Sequence, residues 1–258
     1  MRYLVLIAAL AMPLISWLSQ REVFGPDNAT LSARYPTLLI AAGYAFAVWG
    51  LLFALDVVFG AWQAFWRRKP RGPDSFDRVR VLAAAGFALT AAWMIVFSMQ
   101  LFWVALLVIW GALACLVGAT FALERNELSS TDYWLARVPL SMHAGWLSLA
   151  AFLNTAQVIV AFRLLSTTQM LGWTLVLWLA AAVLLVAVQL RLRGNAFYAA
   201  TALWGLIGVY VQQSRSSLEG APISAWVAAG LGCALLALTA YLIVGRRRRD
   251  DNTAMMPR

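Results

Sequence analysis

Apolar residues in this chain do not alternate with polar ones; they run on for the depth of a bilayer. Eight such segments occur, roughly Tyr3 to Leu18, Leu38 to Phe65, Val81 to Met99, Phe102 to Leu123, Val138 to Phe162, Trp173 to Leu190, Ala196 to Val211 and Ala225 to Val244. About 20 apolar residues cross the hydrocarbon core as a helix. In lipid the backbone must satisfy its own hydrogen bonds, and the ten-residue dyads of an outer-membrane barrel are absent from the sequence. The pattern therefore predicts an all-α fold, a polytopic transmembrane bundle of about eight helices. The first segment is short and follows Arg2, as a signal peptide would, but no small-x-small cleavage pattern follows Trp17, so a retained helix is expected.

Composition narrows the class. The 258 residues are 63% hydrophobic and 12% charged, against roughly 45–50% apolar and about 25% charged in soluble domains. This excludes a soluble domain, a disordered chain, a coiled coil and a disulfide scaffold. Cys115 and Cys233 both lie in apolar runs and read as small core residues. The net charge of +9 resembles a nucleic-acid signal until its distribution is considered. If all eight segments span, every basic residue except Arg21, Arg34, Arg163 and Arg215 falls on one side. Positive loops stay in the cytoplasm, so both termini are expected inside the cell (inner) membrane, with the loop from Ser19 to Tyr35 outside. The partner indicated is the lipid bilayer, which Arg246–Arg249 would touch through anionic headgroups, and not nucleic acid. The main composition break is the Pro/Gly/charge-rich inner loop Arg67 to Arg80; a weaker one is Ser166 to Leu171.

Three spans carry their few polar groups on a stripe shared with tryptophan. Positions three and four apart share a helix face. On the second span that face holds Phe46, Trp49, Phe53, Asp56, Gly60 and Gln63; on the third, Gly86, Thr90, Trp93, Phe97 and Gln100; on the fifth, His143, Trp146, Ala150, Asn154 and Gln157. Polar groups are costly against hydrocarbon, so these faces are expected to point at one another. They would form either a ring-lined ligand pocket with a few polar anchors or an ordinary packing seam of small residues and interhelical hydrogen bonds. The seventh span has a weaker polar face, Tyr198, Thr201, Trp204, Gly208 and Gln212, which would contact the core. Trp17, Trp66 and Trp226 sit near helix ends and read as interfacial residues.

Two ionisable residues stand out. Asp56 lies about three turns before the basic loop, deep enough that an unpaired charge is expensive. It reads either as a proton or cation site or ligand anchor, or as a structural acid paired with Arg137 or His143. His143, the one histidine, is either a proton carrier or haem ligand or a satisfied core residue. A second axial histidine is impossible within one chain. No CxxCH, P-loop, GxGxxG, HExxH or nucleophile signature occurs, so an enzyme is not expected.

At the motif level the chain resembles the tryptophan-rich sensory protein or translocator protein family (TspO/MBR). Ala42 to Phe53 resembles its second-helix pattern, with Phe53 where the family usually has Tyr. Thr90-Ala91-Ala92-Trp93 followed by Phe97 resembles its third-helix Asn-x-x-Trp, with Thr90 for the Asn. Trp146 to Asn154 resembles its fifth-helix run Trp-x-x-Phe-Ala-x-x-Leu-Asn. Order and spacing agree over about residues 36 to 162. The departures are an outer loop (Gln20 to Asn28) without tryptophan, Asp56 at an apolar position, Met142-His143 in place of Pro-Tyr, and about three added helices. The longer bacterial branch is the most similar form.

The resemblance implies a five-helix TspO-like core over residues 1–165, three additional transmembrane helices over 166–245 and a basic cytoplasmic tail over 246–258. It implies a receptor, sensor or carrier for a porphyrin, haem or other rigid hydrophobic small molecule, with no cofactor required and a homodimer as the assembly. The ligand-binding residues implied are Trp49, Phe53, Trp93, Phe97, Trp146, Ala150 and Asn154, tuned by Asp56, His143 and Thr90. Three alternatives stay open: a proton-coupled secondary transporter using Asp56, a non-catalytic structural or regulatory membrane subunit, and, by family analogy alone, an enzyme that degrades porphyrin.

Overall fold

The computed structural model describes residues 1–67, 76–125 and 128–254, and among these it contains helices and turns but no strand. Most of the predicted inner loop (68–75) and Arg258 lie outside the described residues, as do the side chains of 247–254. The helices are α1 (Arg2–Gln20), α2 (Asn28–Arg34), α3 (Val48–Ala61), α4 (Asp77–Ser98), α5 (Phe102–Leu123), α6 (Ser130–Asp132), α7 (Val138–Ala161), α8 (Leu171–Arg191), α9 (Ala196–Gln213) and α10 (Ala221–Ala254). A 3₁₀ turn at Gly43–Ala47 leads into α3, and π-helical turns at Trp62–Trp66 and Tyr133–Arg137 follow α3 and precede α7. Ser129 and Asp132 form a capping box at the start of the α6–α7 helix, satisfying backbone donors that have no helical partner.

Among the described residues seven helices are long and apolar enough to cross a membrane, one fewer than the eight segments expected. The exception is α9. Its 18 residues still run the length of the bundle. Asn195, at its start, donates to Ser141 Oγ at 2.8 Å. Gln213, at its end, reaches the carbonyls of Thr37 and Ile40 at the opposite end. Packed between α7 and α10, α9 buries Tyr198, Thr201 and Gln213 in protein, so it needs less apolar surface than a lipid-exposed span.

The central helix is α7, which packs against α3, α5, α8 and α9. Five of its polar residues, Ser141, His143, Ser148, Asn154 and Gln157, are buried and Thr155 is half-buried, because protein surrounds most of the helix. The α7–α9 seam follows the small-residue rule for membrane helices. A methyl group on Gly145 would run into the Tyr198 carbonyl and the Thr201 hydroxyl. Thr201 donates to Met142 O (2.7 Å) and Tyr198 to Ser148 Oγ (2.9 Å) across the same seam. The main apolar core runs from Val5 in α1 to Leu235 in α10, and Leu38, Met170 and Ala221 form a smaller separate cluster.

One end of the bundle gathers the basic residues. Arg2 donates to Arg67 O, Arg67 pairs with Asp132 at 3.1 Å, Arg137 pairs with Glu124, and Arg191 lies over Phe121. Arg80, 2% exposed, donates to Gln63 Oε1 and Asp77 Oδ1.

Three sequence expectations need correction. The second span was expected to be helical from Leu38, but regular turns begin only at Gly43. Thr37 to Ala42 is buried, non-helical backbone, tolerated at membrane depth only where protein meets its polar groups. The added helices do so. Besides Gln213, Ser224 donates to Leu38 O (2.5 Å), Ala42 N donates to Gly208 O (2.9 Å) and Trp204 Nε1 donates to Ala45 O (2.9 Å). The inward residue near the end of α9 is thus Gln213 and not Gln212, which is exposed. Cys233 is exposed on α10 rather than in the core, on a face of the helix that also exposes Leu236 and Tyr241.

Candidate functional site

The stripes of α3, α4 and α7 meet inside the bundle, except for Gln100, which lies past the end of α4 and is exposed. Trp49, Trp93 and Trp146 are 8%, 5% and 1% exposed, which rules out the lipid-facing arrangement. Phe53, Trp49, Trp93 and Phe97 form a near-parallel column of rings with successive centroid separations of 5.2, 6.1 and 5.0 Å. Trp146 meets Trp49 edge-on at 5.8 Å and Phe46 at 6.1 Å. Offset stacks and edge contacts are the favourable arrangements for the ring quadrupole.

Between these rings lies a narrow cleft of about 20 Å³, lined among others by Trp49, Trp93, Phe97, Trp146, Ala150 and Asn154. Such a volume holds about one water. The indole N–H groups of Trp49, Trp93 and Trp146 and both amide atoms of Asn154 are buried with no hydrogen-bond partner among the described residues. Each such group costs about 1–3 kcal/mol, and buried side-chain polar atoms are usually paired. Five orphaned atoms on four side chains thus gather around one cleft.

The remaining candidates lie nearby in distinct roles. Phe53 stacks on Trp49 but faces a second, larger groove. Thr90 is buried and donates back to Gly86 O at 2.9 Å, within its own helix, away from the cleft lining. Asp56 and His143 pair with each other, Oδ2 to Nδ1 at 2.7 Å, both fully buried. Arg137 is taken by Glu124 instead. The imidazole stacks on Phe87 (6.0 Å) and meets Trp49 edge-on (5.7 Å), so the pair adjoins the ring column. Asp56 Oδ1 and His143 Nε2 have no partner among the described residues. No group of three or more His, Cys, Asp or Glu side chains arranged to hold a metal occurs among the described residues.

Sequence reasoning placed Phe46 and Gln157 on the right stripes but not among the site residues, and both line the cleft. Ser32, Ile40 and Leu153 line it too. They gave no signal, because their positions depend on the irregular backbone before α3 and on the packing of α7.

A helical membrane protein with an aromatic cleft between three spans is the class these features define. Residues 2–242 match the model of the TSPO-like protein family, and the chain belongs to that family. The match extends beyond the motif resemblance, through α8 and α9 and most of α10. Family and helices together place the protein among membrane receptors and carriers. No curated protein and no solved structure matches the chain.

Proposed function

We propose that the protein is a receptor or carrier for a porphyrin, haem or other rigid hydrophobic molecule, bound between the rings of α3, α4 and α7. The observation that carries this reading is the set of orphaned donors on Trp49, Trp93 and Trp146 beside the Asn154 amide. A flat ring system would stack on the column while its polar atoms accept from the indoles. By the positive-inside rule the basic end faces the cytoplasm of a cell membrane, and both termini lie there. The test is quenching of tryptophan fluorescence by protoporphyrin in detergent, with absorbance as a second readout. Trp49→Ala with Trp146→Ala should weaken binding at least tenfold, and unchanged binding would place the site elsewhere.

A second reading, proton-coupled transport, draws on one observation: the sealed Asp56–His143 pair touches Trp49 through the imidazole edge. Protonation there would alter the wall of the cleft. In vesicles, Asp56→Asn should abolish pH-dependent uptake of the ligand while leaving binding measurable. Uptake with the same pH dependence in the variant excludes this role.

A further inference from the structure

The cleft is far smaller than the roughly 300–1,000 Å³ of ordinary ligand pockets, yet it shares two side chains, Phe46 and Trp49, with a groove of about 1080 Å³. The groove opens because α1 and α3 diverge. At the basic end they touch: a Cβ on Gly60 would lie 3.1 Å from Leu6 Cα and 3.3 Å from Ala9 Cβ, and Gln63 donates to Arg2 O. Toward the other end they splay apart from Leu10 and Pro13 onward, with Met94 of α4 at the back. A strip of small residues, Ala47 at the end of the 3₁₀ turn and Gly50 and Ala54 on α3, forms one wall, and a Cβ on Gly50 would meet nothing within 4 Å. The wide end is polar, with Ser16, Ser19, Gln20, Asp27 and Asn28 in the lining. Asn28 Oδ1 is buried there without a partner among the described residues, and Arg21 sits 4.4 Å over the Trp17 ring at the same end.

We propose that this groove is a lateral port for an amphiphile arriving from the bilayer, and that Trp49 with Phe46 is the door between port and cleft. The port rests on the cleft being the binding site. The apolar body of the molecule lies along Ala47, Gly50 and Ala54, and its hydroxyl or carboxyl end stays at the level of Asn28 and Arg21. Rotation of Trp49 then joins the two spaces into one large enough for a rigid ring system.

Gly50→Phe fills the groove from a position outside the cleft lining, and a Cβ there has open space around it. Two readouts apply in nanodiscs. The first is photolabelling with a diazirine-bearing fatty acid, mapped by mass spectrometry. Labels should concentrate on Leu10–Trp17 and Ala47–Ala54 and fall about tenfold in Gly50→Phe. Even labelling across all lipid-facing helices, including those carrying Leu107 and Val183, overturns the port. The second is stopped-flow quenching by protoporphyrin. Association should slow at least tenfold in Gly50→Phe. Unaltered rates, or a lost affinity with unaltered association, refute the door. If the wild type binds no protoporphyrin, the cleft reading fails, and the photolabelling pattern alone decides the port.

Discussion

Replacing Asn154 with Leu, a side chain of similar size, should move stability and binding in opposite directions. Asn154 is 1% exposed and neither its Oδ1 nor its Nδ2 has a partner among the described residues. Leaving a buried polar group unsatisfied costs about 1–3 kcal/mol. In a membrane protein the gain from removing it is smaller, since the unfolded chain also finds partners in the bilayer, and measured side-chain hydrogen bonds there average about 0.6 kcal/mol. The expected result is a ligand-free protein stabilised by about 1 kcal/mol, read from the midpoint of unfolding in mixed dodecyl maltoside and dodecyl sulfate micelles. Protoporphyrin affinity should fall about tenfold, equivalent to about 1.4 kcal/mol, because the amide no longer meets the ligand's polar edge. A variant destabilised by 1 kcal/mol or more would mean that the amide is satisfied structurally. Raised stability with unaltered binding would remove Asn154 from the anchor role.

Two further outcomes follow from the buried polar contacts. Asp56→Leu alone leaves His143 without its 2.7 Å partner and should cost about 1–3 kcal/mol, whereas Asp56→Leu with His143→Leu should recover most of it; a double variant as unstable as the single one would show that the pair is not the source. Gln213→Leu strips the donor from the Thr37 and Ile40 carbonyls and should cost about 2 kcal/mol, with faster amide exchange confined to residues 37–45; exchange unchanged there would show that other contacts hold that segment.

Much of the architecture was legible because lipid enforces simple rules. Long apolar runs had to be helices, and polar groups within them had to face protein. That logic brought Trp49, Trp93, Phe97, Trp146, Ala150 and Asn154 to one cleft from helical spacing alone. It could not say whether Asp56 meets His143 or Arg137, since that depends on the relative height of α3 and α7. The late start of the second span was also hidden. Nothing in Leu38-Leu39-Ile40-Ala41-Ala42 resembles a loop, and the donors that free it from helical bonding sit more than a hundred and fifty positions away in sequence, on α9 and α10. The groove between α1 and α3 arises from divergence of two regular helices, which periodicity does not encode.

The borrowed donors of Gln213 and Ser224 also set an order of assembly. A nascent chain inserted only as far as residue 165 would leave the carbonyls of Thr37, Leu38 and Ile40 facing acyl chains or would wind them into extra helical turns, shifting Phe46 and Trp49 in register. The aromatic cleft, built wholly from the first two thirds of the polypeptide, thus leans for its backbone support on helices translated after it.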